Sequence, residues 1–369
     1  MKNDEYDVII VGSGLYGAVT ACCAKEQGLK CLILEQRPFI GGNVRDRDVE
    51  GIHVHAYGPH IFHTDKEDVW KFVNRFTKFN NFHYCPLART NGHLYHLPFN
   101  MNTFYQVFGV QTPKEARMCL KKEHEQEYYE HPKNLEEKAI SLIGRKLYNL
   151  LVKEYTEKQW GRSATELPEF IINRLPLRFT YDNNYFNDKY QGIPIGGYSN
   201  WINKMIEGVE THLNVDFLQD KEYWLSRCKK LVYTGSIDSF FDYRFGRLEY
   251  RSLRFDETLY ETPNYQGCAA INETSRDVPY TRTIEYKHFE FGTQAVTVVT
   301  REYPITFING SIPFYPINNE KNDQIVRLYR EYGRTAYLQV SFGGRLGDYK
   351  YYNMDDVIHN ALNQKLYIV

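Results

Sequence analysis

The sequence contains no apolar run that approaches the roughly 20 residues of a membrane span, and its charged N-terminus lacks the apolar core of a signal peptide. Its formal net charge is −1, so no overall field favours binding to nucleic acid or to an anionic membrane. The seven cysteines form no C-x-x-C pair and no disulfide framework. We therefore expect a cytoplasmic protein with reduced thiols, no membrane span and no nucleic-acid partner.

A conspicuous catalytic grouping is also missing, since the sequence shows neither a serine elbow nor a Cys–His pair. Four histidines, His53, His55, His60 and His63, do fall close together. No carboxylate or cysteine cluster nearby completes a coordination shell, so we expect no metal and interpret the segment as a loop laid against a cofactor. Aromatic residues, by contrast, are abundant at 15%, with 31 tyrosines. A tyrosine offers both a ring face and a hydroxyl, which suits a sugar-nucleotide site.

The start of the chain has the pattern of a dinucleotide-binding fold. A buried parallel strand is predicted at 6–11, followed at once by the G-x-G-x-x-G turn of Gly12, Gly14 and Gly17. A helix, a second strand and an acid come next, at 18–27, at 30–34 and at Glu35. Gly12 allows the tight turn, Gly14 lets the backbone approach a pyrophosphate, and Gly17 lets helix and strand pack closely. Glu35 would bind the adenosine ribose and would repel the 2′-phosphate of NADP.

A second glycine pair after Glu35 decides which dinucleotide is expected. Gly41, Gly42 and Asn43 resemble the extended fingerprint of the large FAD-binding family that includes amine oxidases and glutathione-reductase-like enzymes. In that family FAD lies extended, and this turn brings the backbone close to its phosphates. The predicted cofactor is therefore FAD. The predicted fold class is α/β: a doubly wound, Rossmann-like FAD-binding domain with an inserted helical domain and an antiparallel β-sheet domain.

The remaining patterns predict the local elements that fill these domains. Asn91-Gly92 indicates a hairpin within 86–99, and Asn134 with Glu137 indicates a capping box before a leucine-rich helix. A last strand is predicted at 336–342. We assign residues 1–80, 196–245 and 317–369 to a discontinuous FAD-binding domain, residues 100–165 to the helical domain, and residues 81–99, 166–195 and 246–316 to the sheet domain, with a mobile substrate lid near 170–190.

Several longer motifs are specific enough to compare with known families. They lie at 57–64, 97–103, 155–163, 182–186, 190–194, 242–246, 279–282, 342–345 and 349–352. Together they resemble the prokaryotic UDP-galactopyranose mutases over nearly the whole chain. That family converts UDP-galactopyranose to UDP-galactofuranose with reduced FAD, through a flavin N5–sugar adduct and without net redox change. The resemblance implies UDP-galactose as substrate, an external flavin reductant, a homodimer and a role in cell-surface polysaccharide biosynthesis.

The resemblance also implies roles for individual residues. The implied catalytic residues are Arg174, Arg282, His60 and His63. The implied FAD-binding residues are Gly12, Gly14, Gly17, Glu35, Gly42, Asn43, His60, Gly344, Arg345 and Met354. The implied substrate-binding residues are Tyr155, Thr156, Trp160, Arg174, Tyr185, Asn272, Arg282, Tyr315, Tyr351 and Asn353. Arginines make chemical sense in this set because two buried phosphates require countercharge.

Three alternatives stay open at this point. Asn353 stands where the family usually carries an aspartate, so a related nucleotide sugar such as dTDP-fucopyranose is a second candidate substrate. A flavin amine-oxidase-type oxidoreductase would share the glycine fingerprint but would have no use for paired arginines. A non-enzymatic protein that binds FAD and senses a nucleotide sugar is the third alternative, because a fold alone fixes little function.

Overall fold

The computed structural model describes residues 5–308, 310–364 and 366, and of Asn173 and Arg174 it describes the backbone alone. Within this part the strands, β1 to β16 in chain order, are Tyr6–Val11, Cys31–Glu35, Asp46–Val49, Ile52–His55, Phe62–Thr64, Leu87–Thr90, His93–His96, Tyr190–Gly192, Glu210–Leu213, Cys228–Tyr233, Tyr250–Tyr260, Ala270–Glu273, Arg282–Glu285, Thr297–Thr306, Tyr315–Pro316 and Val340–Phe342. The α-helices, α1 to α12, are Leu15–Glu26, Glu67–Val73, Met101–Phe108, Pro113–Gln126, Leu135–Leu147, Lys153–Trp160, Tyr198–Met205, Lys221–Leu225, Ile237–Phe240, Glu320–Ala336, Gly344–Gly347 and Met354–Leu362.

The predicted first strand, β1, is the centre of a five-stranded sheet with the order β16-β10-β1-β2-β9, in which every pairing is parallel. Its apolar side chains point alternately to two cores. Val8 and Ile10 pack with α1, α7 and α12, whereas Ile9 packs with α9 and α10 on the other face. Helices on both faces of a parallel sheet explain why β1 and β2 are almost continuously apolar. The predicted doubly wound fold is confirmed.

A seven-stranded sheet forms the second layer, with the order β15-β11-β14-β13-β12-β6-β7. Its pairings are antiparallel except that β6 runs parallel to β12. The register places Asn272 of β12, Arg282 of β13 and Glu302 of β14 directly opposite one another across three adjacent strands. The predicted hairpin is β6–β7, and its turn residues Asn91 and Gly92 both have positive φ, as a type I′ turn requires.

The inserted helical part, α3 to α6, has a core of its own. The leucine-rich helix predicted here is interrupted, because Gly144 has a φ of 79° and kinks it. A π-helical turn, Tyr148–Val152, then joins α5 to α6. The capping box is half formed: the Asn134 Oδ1 accepts from the Glu137 N–H at 3.0 Å, but the Glu137 carboxylate accepts from the backbone N–H of Lys133 instead.

The predicted strand at 336–342 is corrected to the shorter β16, because Ala336 is the last residue of the long helix α10. The helix α10 itself was not predicted from the sequence. Its N-terminus is capped by Asn319, whose side chain accepts from the Asn322 N–H at 2.9 Å. None of the helices in the described part of the chain combines the length and the apolarity needed to span a bilayer.

Candidate functional site

The two glycine turns predicted to hold a cofactor lie against each other. A Cβ atom at Gly42 would come within 2.7 Å of the Gly14 Cα, so a side chain at Gly42 is excluded. Gly12 has a φ of 101°, a conformation that favours glycine. Gly17 does not line the cavity that follows, and its backbone packs against the Gly12 carbonyl, where any Cβ would overlap. The structure therefore gives Gly17 the packing task expected of the third glycine.

A cavity of about 490 Å³ opens over these turns and over the carboxyl ends of the parallel strands. The cofactor-binding residues of the sequence analysis that line it are Gly12, Gly14, Glu35, Gly42, Asn43, His60, Gly344, Arg345 and Met354. Gly12 and Gly14 follow β1, Glu35 ends β2, and Gly344 and Arg345 follow β16. A crevice at this edge of such a sheet is the usual position of a bound dinucleotide.

Polar groups inside this cavity fit an extended dinucleotide. The Oε2 of the buried Glu35 accepts hydrogen bonds from the Ser13 N–H and hydroxyl at 2.9 and 2.6 Å, which fixes the carboxylate at the glycine turn. Arg37 donates through Nη2 to the Asn43 Oδ1 at 3.1 Å. Its Nη1 is buried and has no hydrogen-bond partner among the described residues. A buried guanidinium donor in need of an acceptor suits an anionic ligand, and these residues therefore fit FAD.

A second cavity of about 600 Å³ lies beyond the far end of the first. The two cavities share His60, Arg345 and Met354 as lining residues. The substrate-binding residues of the sequence analysis that line the second cavity are Tyr155, Thr156, Trp160, Tyr185, Asn272, Arg282, Tyr351 and Asn353. His63 lines it as well. Nearly all predicted substrate residues are thus brought to one space that adjoins the cofactor cavity.

Two predicted residues stand differently from the rest. Tyr315 does not line the cavity but packs against two residues that do. Its ring centroid lies 6.2 Å from that of Trp160 and 5.4 Å from that of Tyr351. The side chain of Arg174 lies outside the described part of the structure, and its backbone ends the 3₁₀ turn Glu169–Arg174. Ile171, Ile172 and Leu175 line the second cavity, so this turn borders it.

The segment predicted as a lid is irregular and is held by side-chain hydrogen bonds. Asn100 donates through Nδ2 to the Asp182 carbonyl and to the Asn183 Oδ1, at 2.8 and 2.7 Å. The Tyr185 N–H donates to the Tyr84 carbonyl at 2.7 Å, and both residues line the second cavity. The mobility of residues 170–190 stays a prediction.

Arg282 is one of the arginines that line the second cavity. Its Nη2 donates to both oxygens of Glu302 at 3.0 and 2.8 Å, and its Nε donates to Oε1 at 3.3 Å. Glu302 is completely buried. Burial opposes the charge on Arg282, but the Glu302 carboxylate prevails and holds the pKa of Arg282 well above its ordinary value. Arg282 is therefore a fixed, permanently charged donor.

His60 and its neighbour His55 are neutral at physiological pH. Burial lowers the pKa of each to about 3, and for His60 the nearby charges of Arg345 and Arg282 act in the same direction. The His55 Nδ1 accepts from the His60 N–H at 3.0 Å, and the His60 Nδ1 contacts the Gly58 carbonyl at 2.7 Å. His60 can therefore present a neutral ring to a cofactor. Among the described residues, no group of three or more His, Cys, Asp or Glu side chains is placed to hold a metal ion.

His63 belongs to a different small cluster. Its Nδ1 lies 3.0 Å from the Asp188 Oδ2, and its ring stacks on Phe186 with centroids 3.8 Å apart. The hydrogen bond from His63 lowers the pKa of Asp188, so this carboxylate is an anion that fixes the orientation of the ring.

Sequence reasoning missed several residues that position the site. Glu302 pairs with Arg282, Asp188 holds His63, and Lys158 bonds the loop between β12 and β13. The first of these pairs depends on strand register, and the other two join segments far apart in the chain. A local pattern carries no signal for such contacts.

This chain matches two family profiles and is similar in sequence to known proteins. The family profile of UDP-galactopyranose mutase matches residues 150–351, and that of an NAD(P)-binding Rossmann-like domain matches residues 10–76. The chain is 39% identical to a probable UDP-galactopyranose mutase of Klebsiella pneumoniae, over 96% of this chain and 93% of the relative. It is 36% identical to a dTDP-fucopyranose mutase of Escherichia coli, over 98% of each.

Solved structures agree on the fold. A reduced UDP-galactopyranose mutase superimposes with a TM-score of 0.72 at 14% identity, covering 97% of this chain and 94% of the other. A putrescine oxidase superimposes with a TM-score of 0.57 at 11% identity, covering 96% and 97%. The second likeness shows that a putrescine oxidase shares the architecture of this chain. The central profile and the two full-length relatives are more specific than the shared architecture, and they show that the chain belongs to the UDP-galactopyranose mutase family.

Proposed function

We propose that the protein is an FAD-dependent isomerase that converts UDP-galactopyranose to UDP-galactofuranose. One observation supports this most directly: the dinucleotide cavity and an arginine-containing, aromatic cavity meet at His60, Arg345 and Met354. A cofactor that extends from the glycine turns to this junction would bring its reactive end to the sugar. When bound and reduced, FAD supplies the nucleophile for the anomeric carbon and recovers its electrons in the same cycle.

The residues of the chain have binding tasks in this proposal. Arg282 holds one side of the diphosphate through the donors that Glu302 does not use, and Arg174 approaches from the turn at the border of the cavity. Tyr155 and Trp160 take the uridine and the sugar, and Asn272 supplies a polar contact to the nucleotide. Burial raises the pKa of Tyr155, so its hydroxyl remains a neutral donor at physiological pH.

Tyr185, Tyr315 and Tyr351 are the tyrosines proposed to contact the phosphates. Tyr185 and Tyr351 line the second cavity, and Tyr315 lies against Tyr351. Burial raises the pKa of Tyr315 as well, which keeps its hydroxyl available as a donor. A donor cluster of this kind holds a diphosphate without adding net charge.

His60 and His63 are proposed to act at the junction with the cofactor. The neutral ring of His60 closes the cofactor cavity without placing a second cation beside Arg345. His63, fixed by Asp188, borders the sugar cavity and could exchange a proton with a sugar hydroxyl.

A second substrate, dTDP-fucopyranose, is favoured by two observations. A relative named for that activity is 36% identical over 98% of the chain. Asn353 lines the second cavity, where an amide can donate one hydrogen bond and accept another, unlike a carboxylate. Asn353 is also the N-cap residue of α12, so asparagine has a structural reason to be there as well.

The proposal also covers oligomeric state, location, reductant and biosynthetic role. We propose a homodimer located in the cytoplasm, reduced by an external electron donor and serving cell-surface polysaccharide biosynthesis. The family assignment favours the mutase over an amine oxidase, and the partly buried Arg282 supports a phosphate-containing substrate.

The proposal is tested by incubating dithionite-reduced protein with UDP-galactopyranose, dTDP-fucopyranose and UDP-glucose, and separating pyranose from furanose products. We expect a furanose from one of the first two and none from oxidised protein. Reduced protein that retains FAD and binds UDP but isomerises none of them would favour the sensor alternative. Steady oxygen consumption with an amine would favour the oxidase.

A further inference from the structure

The ammonium of Lys158 is surrounded by four backbone carbonyls. Its Nζ lies 2.7 Å from the Glu273 oxygen, 2.7 Å from that of Ser275, 2.8 Å from that of Val278 and 3.0 Å from that of Tyr280. All four belong to the end of β12 or to the loop that leads into β13. This loop connects the strand that carries Asn272 with the strand that begins at Arg282, and both residues line the second cavity.

The two sides of α6 contact different parts of the protein. At 100° per residue, Tyr155, Thr156, Gln159 and Trp160 share one side of the helix, and these four line the second cavity. Glu154, Glu157 and Lys158 occupy the opposite side. There Glu154 accepts from the Arg276 N–H at 2.8 Å and Glu157 pairs with the Arg276 guanidinium. One face of α6 thus forms the cavity wall and the other is fixed to the loop.

Among these contacts, Lys158 reaches the loop at four separate positions. Three N–H donors on one nitrogen serve four carbonyls, whose dipoles would repel each other if no cation lay between them. Burial lowers the pKa of Lys158 to about 8, against the pull of the Glu273 and Glu154 carboxylates, so the side chain is mainly protonated at pH 7. Without it, four carbonyls would lose a charged partner at once.

We propose that Lys158 is a positioning residue that sets the distance between the two walls of the second cavity. One wall is α6 with Tyr155 and Trp160, and the other is the strand pair that carries Asn272 and Arg282. A bound nucleoside diphosphate has to contact both walls. The inference rests on the proposed function, because it requires that this cavity bind the UDP part of the substrate.

The chain offers a matched control in Lys287. Its Nζ also lies among backbone carbonyls, those of Pro263, Gln294 and Val296, at 2.5 to 3.0 Å. Within the described residues, Lys287 and these three partners line neither of the two cavities. Replacing Lys287 should therefore destabilise the fold in a comparable way without moving a wall of the site.

The experiment uses the FAD-loaded full chain and measures the Kd of UDP by calorimetry, together with FAD content and Tm. Lys158→Met should bind UDP at least ~10-fold more weakly while FAD content is unchanged. Lys158→Gln, which keeps two N–H donors, should lie between Met and wild type. Lys287→Met should lower the Tm by a similar amount and leave the Kd of UDP within about twofold of wild type.

The outcomes separate the two proposals. A wild-type protein that does not bind UDP would overturn the proposed function. Binding by wild type and equal binding by Lys158→Met would overturn only the role of Lys158, as would an equal loss of affinity in Lys287→Met. If Lys158→Met does not fold, Lys158→Gln decides: a Kd at least ~3-fold weaker supports the inference, and an unchanged Kd contradicts it.

Discussion

Arg282 and Glu302 face each other across β13 and β14 and share three hydrogen bonds, of 2.8, 3.0 and 3.3 Å. The contact uses the Nε and Nη2 donors of the arginine and leaves Nη1 outside the ion pair. The carboxylate neutralises a cation that would otherwise be costly to hold in a buried site. The pair therefore holds one rigid cation at the cavity where we propose that the diphosphate binds.

Arg282→Met should abolish tight UDP binding and also destabilise the fold, because it leaves the Glu302 carboxylate buried without its partner. Losing one member of such a pair costs about 3–5 kcal/mol. The double variant Arg282→Met/Glu302→Gln removes the orphaned charge and should recover much of the lost stability while UDP binding stays weak. Urea denaturation and calorimetry measure the two effects separately. Recovery of UDP binding in the double variant would contradict a ligand role for Arg282.

Gly14→Val should produce a folded protein that does not retain FAD. A Cβ at Gly14 would lie 3.7 Å from the Gly42 Cα, which is ordinary contact, and the φ of Gly14 is −67°, which any residue can adopt. The polypeptide can therefore accept a side chain there, whereas a pyrophosphate approaching the backbone cannot. Absorbance of the purified protein near 450 nm and its circular dichroism test this. A yellow variant with wild-type FAD content would contradict the predicted cofactor position.

The free energy of unfolding should fall as the pH falls from about 6.5 towards 3. His55 and His60 have folded-state pKa values of about 3 because they are buried, so between these limits the unfolded chain binds more protons than the folded one. Each histidine should contribute a slope of about 1.4 kcal/mol per pH unit. His55→Asn can still accept the His60 N–H and should remove one such contribution. Denaturation at pH 7, 6 and 5 measures the slopes, and equal slopes would show that His55 is not the group that titrates.

Asn353→Asp should alter the ratio of kcat/KM for UDP-galactopyranose to that for dTDP-fucopyranose. Asparagine and aspartate are equally good helix N-caps, so α12 should form in both proteins and the comparison reports on the cavity. The carboxylate can accept from two sugar hydroxyls, which favours the galactose substrate. If the ratio does not change, Asn353 has only its capping task, and substrate choice lies elsewhere in the cavity.

The parts of the fold that were predictable from sequence are those whose cause is local. The glycine fingerprint, the buried strands β1 and β2 and the Asn91-Gly92 hairpin each follow from a few adjacent residues. The helix α10 was missed although Ile325, Val326, Leu328 and Tyr329 recur at helical spacing after the Asn319 cap. The signal for this helix is therefore present in the sequence.

The positioning contacts of the site could not have been predicted in the same way. Glu302 lies opposite Arg282 only because β13 and β14 pair in one register, and a shift of one residue would turn either side chain to the other face. Lys158 and the carbonyls it bonds are more than a hundred residues apart. Such contacts depend on the packing of whole elements and leave no periodicity in the chain.

The wall shared by the two cavities links the environment of a bound flavin to the occupancy of the second cavity. His60, Arg345 and Met354 are exposed to the contents of both spaces, so a nucleotide entering one changes the polarity around the end of the other. A flavin at that junction would act as a built-in optical probe, whose absorption bands shift as the neighbouring space fills. Occupancy by unlabelled sugar nucleotides could then be followed by absorbance difference spectra of the flavin, one candidate compound after another.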